Sequence, residues 1–87
     1  MKVVKKPIEC STWYTPEGIL TPIKFKYVND EKRNIAIKVN NIFQRDENKL
    51  AGNRMMVFKC QSTINGQLKE YELTYEVSTC KWTLMKM

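Results

Sequence analysis

The chain contains no histidine. A Ser-His or Cys-His dyad therefore cannot be built, and the commonest general base is missing. Cysteine is sparse as well: Cys10, Cys60 and Cys80, an odd number with no Cys-x-x-Cys spacing. A secreted disulfide scaffold needs a denser, even set, so free thiols in a reducing compartment are expected. Three thiolates without an imidazole leave zinc one ligand short, so no metal is expected. Glycine occurs only at positions 18, 52 and 66, each in a turn or loop, and no Gly-rich phosphate cradle exists. The longest run of large apolar residues is Met55-Met56-Val57-Phe58. A membrane span needs about 20 residues of that kind. The opening MKVVKKPIEC has charge but no apolar segment of a secretory signal. Together these absences point to a cytoplasmic protein with no cofactor, no metal, no membrane partner and no catalytic residue.

What remains is ordinary globular material. At 87 residues the chain makes one domain, 1–87. Hydrophobic residues are 43% and charged residues 28%, a balance that argues against general disorder. There is no internal repeat and no low-complexity stretch. Period-2 alternation recurs, whereas helical periodicity is poor. The first strand is expected over Ile8–Thr15, followed by the tight turn Thr15-Pro16-Glu17-Gly18. The second covers Ile19–Val28. Pro22 cannot donate to a ladder, so an edge or a bulge is expected there. Beyond it Ile23, Phe25 and Tyr27 share one face, and Lys24 and Lys26 share the other. The third strand, Asn34–Phe43, sets Ile35, Ile37 and Val39 against Ala36 and Lys38. Its parity slips at Ile42, which a bulge near Asn40-Asn41 would explain. Residues 44–54 lack alternation and read as a loop or one helical turn.

Asn65-Gly66 is the strongest hairpin signal, since both residues accept positive φ. A two-residue turn there sets Cys60 opposite Tyr71, Phe58 opposite Leu73 and Met56 opposite Tyr75. The other face then pairs Lys59 with Glu72 and Val57 with Thr74. Apolar meets apolar and opposite charges meet, and a slip by one residue breaks both patterns. A last strand covers Lys81–Met87, with Trp82 and Leu84 inward. The expected fold is all-β: about six antiparallel strands in a meander curled into a small barrel or roll. An SH3-like barrel comes first. An OB-like barrel comes second, because it can place a helix after the third strand. The expected core is Ile23, Phe25, Tyr27, Ile35, Ile37, Val39, Phe58, Tyr71, Leu73, Tyr75 and Trp82. Glu70, Glu72 and Glu76 fall on one outer face, which is read as solvated.

Charge carries the functional signal. The net charge is +6. The first sixty residues hold twelve Lys or Arg against six acids, and the remainder holds three against three. Surplus lysine keeps a small β protein soluble and blunts its edges. It also attracts polyanions, among which nucleic acid is common. The expected basic surface comprises Lys24, Lys26, Lys38, Arg45, Lys49 and Arg54, with Trp13 as a base-stacking aromatic. No RNP-type aromatic motif, GXXG clamp or zinc knuckle accompanies it. The expected role is thus a non-enzymatic binding module for nucleic acid. The alternative is a protein–protein interaction or adaptor module that offers a sheet edge near Pro22 to a partner strand.

Several segments resemble a group of small bacterial proteins, Gram-positive in type, to which no activity is assigned. They are Gly18-Ile19-Leu20-Thr21-Pro22, Lys49–Met55, Phe58–Ser62, Ile64-Asn65-Gly66, Tyr71–Glu76 and Thr79-Cys80-Lys81-Trp82. The resemblance implies a bacterial cytoplasmic protein and transfers no ligand or site residue.

Overall fold

In the computed structural model, the hairpin at Asn65-Gly66 forms in the expected register. Cys60 pairs with Tyr71, Phe58 with Leu73, Met56 with Tyr75, Lys59 with Glu72 and Val57 with Thr74. Asn65 and Gly66 have φ of 51° and 76°, the two positive values a two-residue turn of this hand requires. The structure describes residues 1–87, the side chain of Leu50 excepted.

Seven strands follow one another: β1 (Val3–Tyr14), β2 (Leu20–Val28), β3 (Asn34–Lys38), β4 (Asn41–Leu50), β5 (Asn53–Ile64), β6 (Gln67–Glu76) and β7 (Lys81–Lys86). They form one sheet in the order β3-β2-β1-β7-β6-β5-β4, with every neighbouring pair antiparallel. The fold is all-β, and no helix is long and apolar enough to cross a membrane. Tracing directions around the sheet shows that β3 and β4 run the same way. They are two halves of one ribbon that leaves β2 at Lys38 and joins β5 from Asn41. Two residues in the chain thus connect the sheet's opposite edges, so the sheet must curl into a barrel-like half-closed wall.

Residues 44–54 are a correction. The segment is neither loop nor helical turn. It is most of β4 plus a second tight hairpin, with Ala51 at φ 51° and Gly52 at φ 82°. Alternation is missing because β4 is an edge strand, and every described side chain from Phe43 to Lys49 is exposed. The parity slip at Ile42 has its cause here too: the ribbon changes sheet partner at Val39-Asn40, and a bulge follows between Ile42 and Gln44.

Pro22 sits at a bulge. The β1–β2 register passes from Ser11–Lys24 to Thr12–Pro22, so Ile23 has no partner. Pro22 takes the inward place and is fully buried, whereas Ile23 is 40% exposed and leaves the expected core. The absent N–H does no harm, because this part of β2 lies beyond the end of β3. Phe25, Ile37, Phe58, Tyr71, Leu73 and Trp82 are buried as expected, joined by Leu20, Cys60 and Leu84. Tyr27, Ile35, Val39 and Tyr75 pack partly buried against them.

Side chains close the seam where β3 and β4 part. Ser62 Oγ donates to the Lys38 carbonyl at 2.7 Å and accepts from Asn40 N at 3.3 Å. Its hydrogen being committed, Tyr71 must donate the 2.6 Å bond between the two hydroxyls. Asn40 Oδ1 accepts from Thr63 N at 2.9 Å. Further up, Arg45 donates to the Leu20 carbonyl at 2.7 Å and to Thr21 Oγ1 at 3.3 Å. Its guanidinium covers the Phe58 ring, 5.5 Å from the centroid.

Candidate nucleic-acid interface

The outer face of β1, β2 and β3 gathers four of the seven expected residues. Phe25 and Tyr27 turn inward, so strand parity sends Lys24 and Lys26 outward. The β2–β3 register sets Lys24 directly opposite Lys38 and Lys26 opposite Ala36. On the other side Ser11 faces Lys24 and Glu9 faces Lys26. Two residues beyond Ser11 on the same face comes Trp13, opposite Thr21 and 66% exposed. All three lysines are exposed. A shallow hollow of about 340 Å³ lies between Ser11, Glu9, Lys24 and Lys26.

Like charges directly opposite each other on a sheet are destabilising. Lys24 and Lys38 are such a pair, and the ion pairs among the described residues involve neither them nor Lys26. Those pairs are Lys6–Asp30 at 3.0 Å, Arg33–Glu31 at 3.7 Å, and Arg54 with Glu47. Glu9 is the one acid that the register sets against these three lysines.

The other three expected residues lie elsewhere. Arg45 belongs to the seam, its guanidinium held by Leu20 and Thr21. Lys49 and Arg54 oppose each other beside the β4–β5 turn. The hydrogen bond between Arg54 and Glu47 pushes the guanidinium above its ordinary range and holds the Glu47 carboxyl below its own. The sequence contains the signal that fixes the Lys24–Lys38 opposition: matching Phe25 and Tyr27 to Ile37 and Ile35 imposes it. The seam role of Arg45 has no such signal, because it depends on the barrel closing.

A second outer face, on β4–β7, departs from expectation. Glu72 is only 8% exposed as a whole residue, although its carboxylate oxygens still reach the surface. Val57 and Thr74 beside it are buried too, and the Thr74 hydroxyl has no hydrogen-bond partner. Glu76, by contrast, accepts bonds from Thr79 and Asn53, which hold its carboxyl below the usual range. Inside the wall, burial pushes the thiols of Cys10 and Cys60 up to about 12, so both are neutral near pH 7. No group of three or more potential metal ligands occurs among the described residues.

Comparison of the chain with family models, with curated proteins and with solved structures gives no match.

Proposed function

We propose that the chain is a binding module for single-stranded nucleic acid, which it holds on the outer face of β1, β2 and β3. The observation that carries this reading is the exposed Lys24–Lys38 pair, two unneutralised ammonium groups set side by side. A phosphate between them turns a repulsion into two attractions. Lys26 extends the row along β2, and the exposed Trp13 ring offers a stacking surface that any base can use. An open strand suits this arrangement, because its unstacked bases can reach the indole.

Titration of a labelled oligonucleotide, followed by anisotropy at several salt concentrations, tests the reading. Three lysine–phosphate contacts predict that log K falls with log salt at a slope of about −2. Lys24→Glu together with Lys26→Glu should abolish binding and leave the circular dichroism spectrum unchanged. Binding that ignored salt, or survived the double variant, would place the nucleic acid elsewhere or remove it.

A second reading rests on the free edge of β3. Val39 N donates to the Ile23 carbonyl and Asn29 N to the Arg33 carbonyl. Odd-numbered residues of β3 therefore turn their backbone groups to β2, and Asn34 and Ala36 turn theirs outward. An extended segment of another protein could pair there. The β4 edge is better guarded, because its outward backbone belongs to the charged Arg45, Glu47 and Lys49. Substitution of Ala36 by Pro would remove one outward N–H; a partner complex that persisted unchanged would exclude this edge.

A further inference from the structure

The free edge of β3 opens on a hollow that has a second wall. The strand stands first in the sheet order, so its outer side pairs with no neighbour. Asn34 and Ala36 turn both backbone groups that way. Lys38 turns its N–H the same way, its carbonyl being taken by Ser62 Oγ at 2.7 Å. Beside this edge lies a hollow of about 290 Å³, with Ile35–Lys38 on one side and Thr63, Ile64 and Asn65 on the other. Ile35 and Ile64 are only partly buried against the core. The edge therefore sets a row of backbone donors and acceptors beside an apolar floor. An extended chain fits both: its backbone meets the row, and every second side chain covers the floor.

Charge decides what the remaining side chains should be. In an antiparallel guest, residues opposite Ala36 and Lys38 point to the outer face, and the residue between them points to the floor. The register sets no acid against Lys38 or Lys24; Lys24 faces Ser11 on one side and Lys38 on the other. Lys26 stands behind Ala36, whose methyl is too short to screen it from a guest. Acids at the outward positions meet Lys38 directly and Lys26 across Ala36, and they relieve the repulsion between Lys24 and Lys38. A basic residue there adds one more like charge.

We infer that the β3 edge takes an extended segment of another protein in which acidic residues alternate with apolar ones. The inference rests on the second reading above and names its partner. The guest's backbone pairs with Asn34 and Ala36, its apolar side chains lie over Ile35 and Ile64, and its carboxylates face Lys38 and Lys26.

The test is an NMR titration of the full chain with three end-blocked pentapeptides, matched to the five residues of β3. The first is Glu-Val-Glu-Val-Glu, and the second has Lys for each Glu. The third, Glu-Glu-Val-Val-Glu, keeps the composition and loses the alternation. The first should give saturable shifts at Ala36 and Ile64 and slow hydrogen exchange of the Ala36 amide at least tenfold. The other two should bind at least tenfold more weakly. Lys38→Glu removes the repulsion with Lys24, so it should fold at least as well as the parent. It should narrow the gap between the first two peptides several-fold. An oligonucleotide forms no backbone ladder and should leave the Ala36 exchange rate unchanged. If no peptide shifts Ala36 up to about 10 mM, ten times a weak Kd of about 1 mM, the edge accepts no strand and both readings fall. If the glutamate and lysine peptides bind alike, the edge accepts a strand but the acidic partner is overturned. The inference also falls if the third peptide matches the first, if Lys38→Glu leaves the preference intact, or if the oligonucleotide slows Ala36 as much as the first peptide does.

Discussion

Ser62 shows how much one small side chain can hold. Its hydroxyl gives its only hydrogen to the Lys38 carbonyl and receives bonds from Asn40 and Tyr71. Ser62→Ala would strand a fully buried phenol, and leaving a buried donor unpaired costs about 1–3 kcal/mol. The urea midpoint should fall accordingly. Alkali attacks the same neighbourhood. Burial pushes the Tyr71 phenol, and the thiols of Cys10 and Cys60, up to about 12. In each case the folded pKa lies above the unfolded one, so the neutral form stabilises the fold. That contribution is complete below the unfolded values, about 9 for the thiols and 10 for the phenol. It is lost as pH rises toward 12. Denaturation midpoints measured against pH should stay level to about pH 9 and then decline, and phenolate absorbance should lag behind that of free tyrosine.

At the scale of elements, the two hairpins beside β5 differ in how well their turns suit them. Asn65-Gly66 is well chosen, but Ala51 adopts φ 51° with a side chain that penalises it. Ala51→Gly should raise stability by about 0.5–1 kcal/mol, read from the urea midpoint. The same contrast explains what was legible in the sequence. The β5–β6 register could be read because both of its faces carry information: apolar pairs inside, Lys59 against Glu72 outside. β4 could not, because its segment from Gln44 to Lys49 faces water on both sides. A period-2 signal arises only where one face is buried. Ile23 misled for a related reason. Alternation counts residues evenly, whereas a bulge adds one without a partner and hands its inward place to Pro22. Lys24, Lys26 and Lys38 could be placed on one face because their apolar neighbours fix them. Arg45 could not, since its partners are 24 and 25 residues away, across a seam that exists only once the sheet has curled.

For the whole molecule, the core is small and shared. Phe58 is 1% exposed and lies 5.4 Å from the Trp82 ring, under the Arg45 guanidinium. Phe58→Ala should cost about 3–5 kcal/mol. The total for a domain of this length is roughly 5–9 kcal/mol, so the variant should be close to unfolding at room temperature. Circular dichroism and tryptophan emission would both report it. Trp82 is buried and Trp13 is exposed, so the two indoles separate core loss from events on the basic face.

The ribbon from Asn34 to Leu50 has one more consequence. Everywhere else around the wall, neighbouring strands are laced by backbone ladders. At the join between the two halves of this ribbon, a serine, an asparagine and an arginine act as the only clasps described. Such a wall should breathe there first. In hydrogen exchange, the amides of Ala36 and Lys38 should trade for deuterium well before those of Phe58 and Tyr71. Ser62→Ala should widen that opening and leave the β5–β6 hairpin slow.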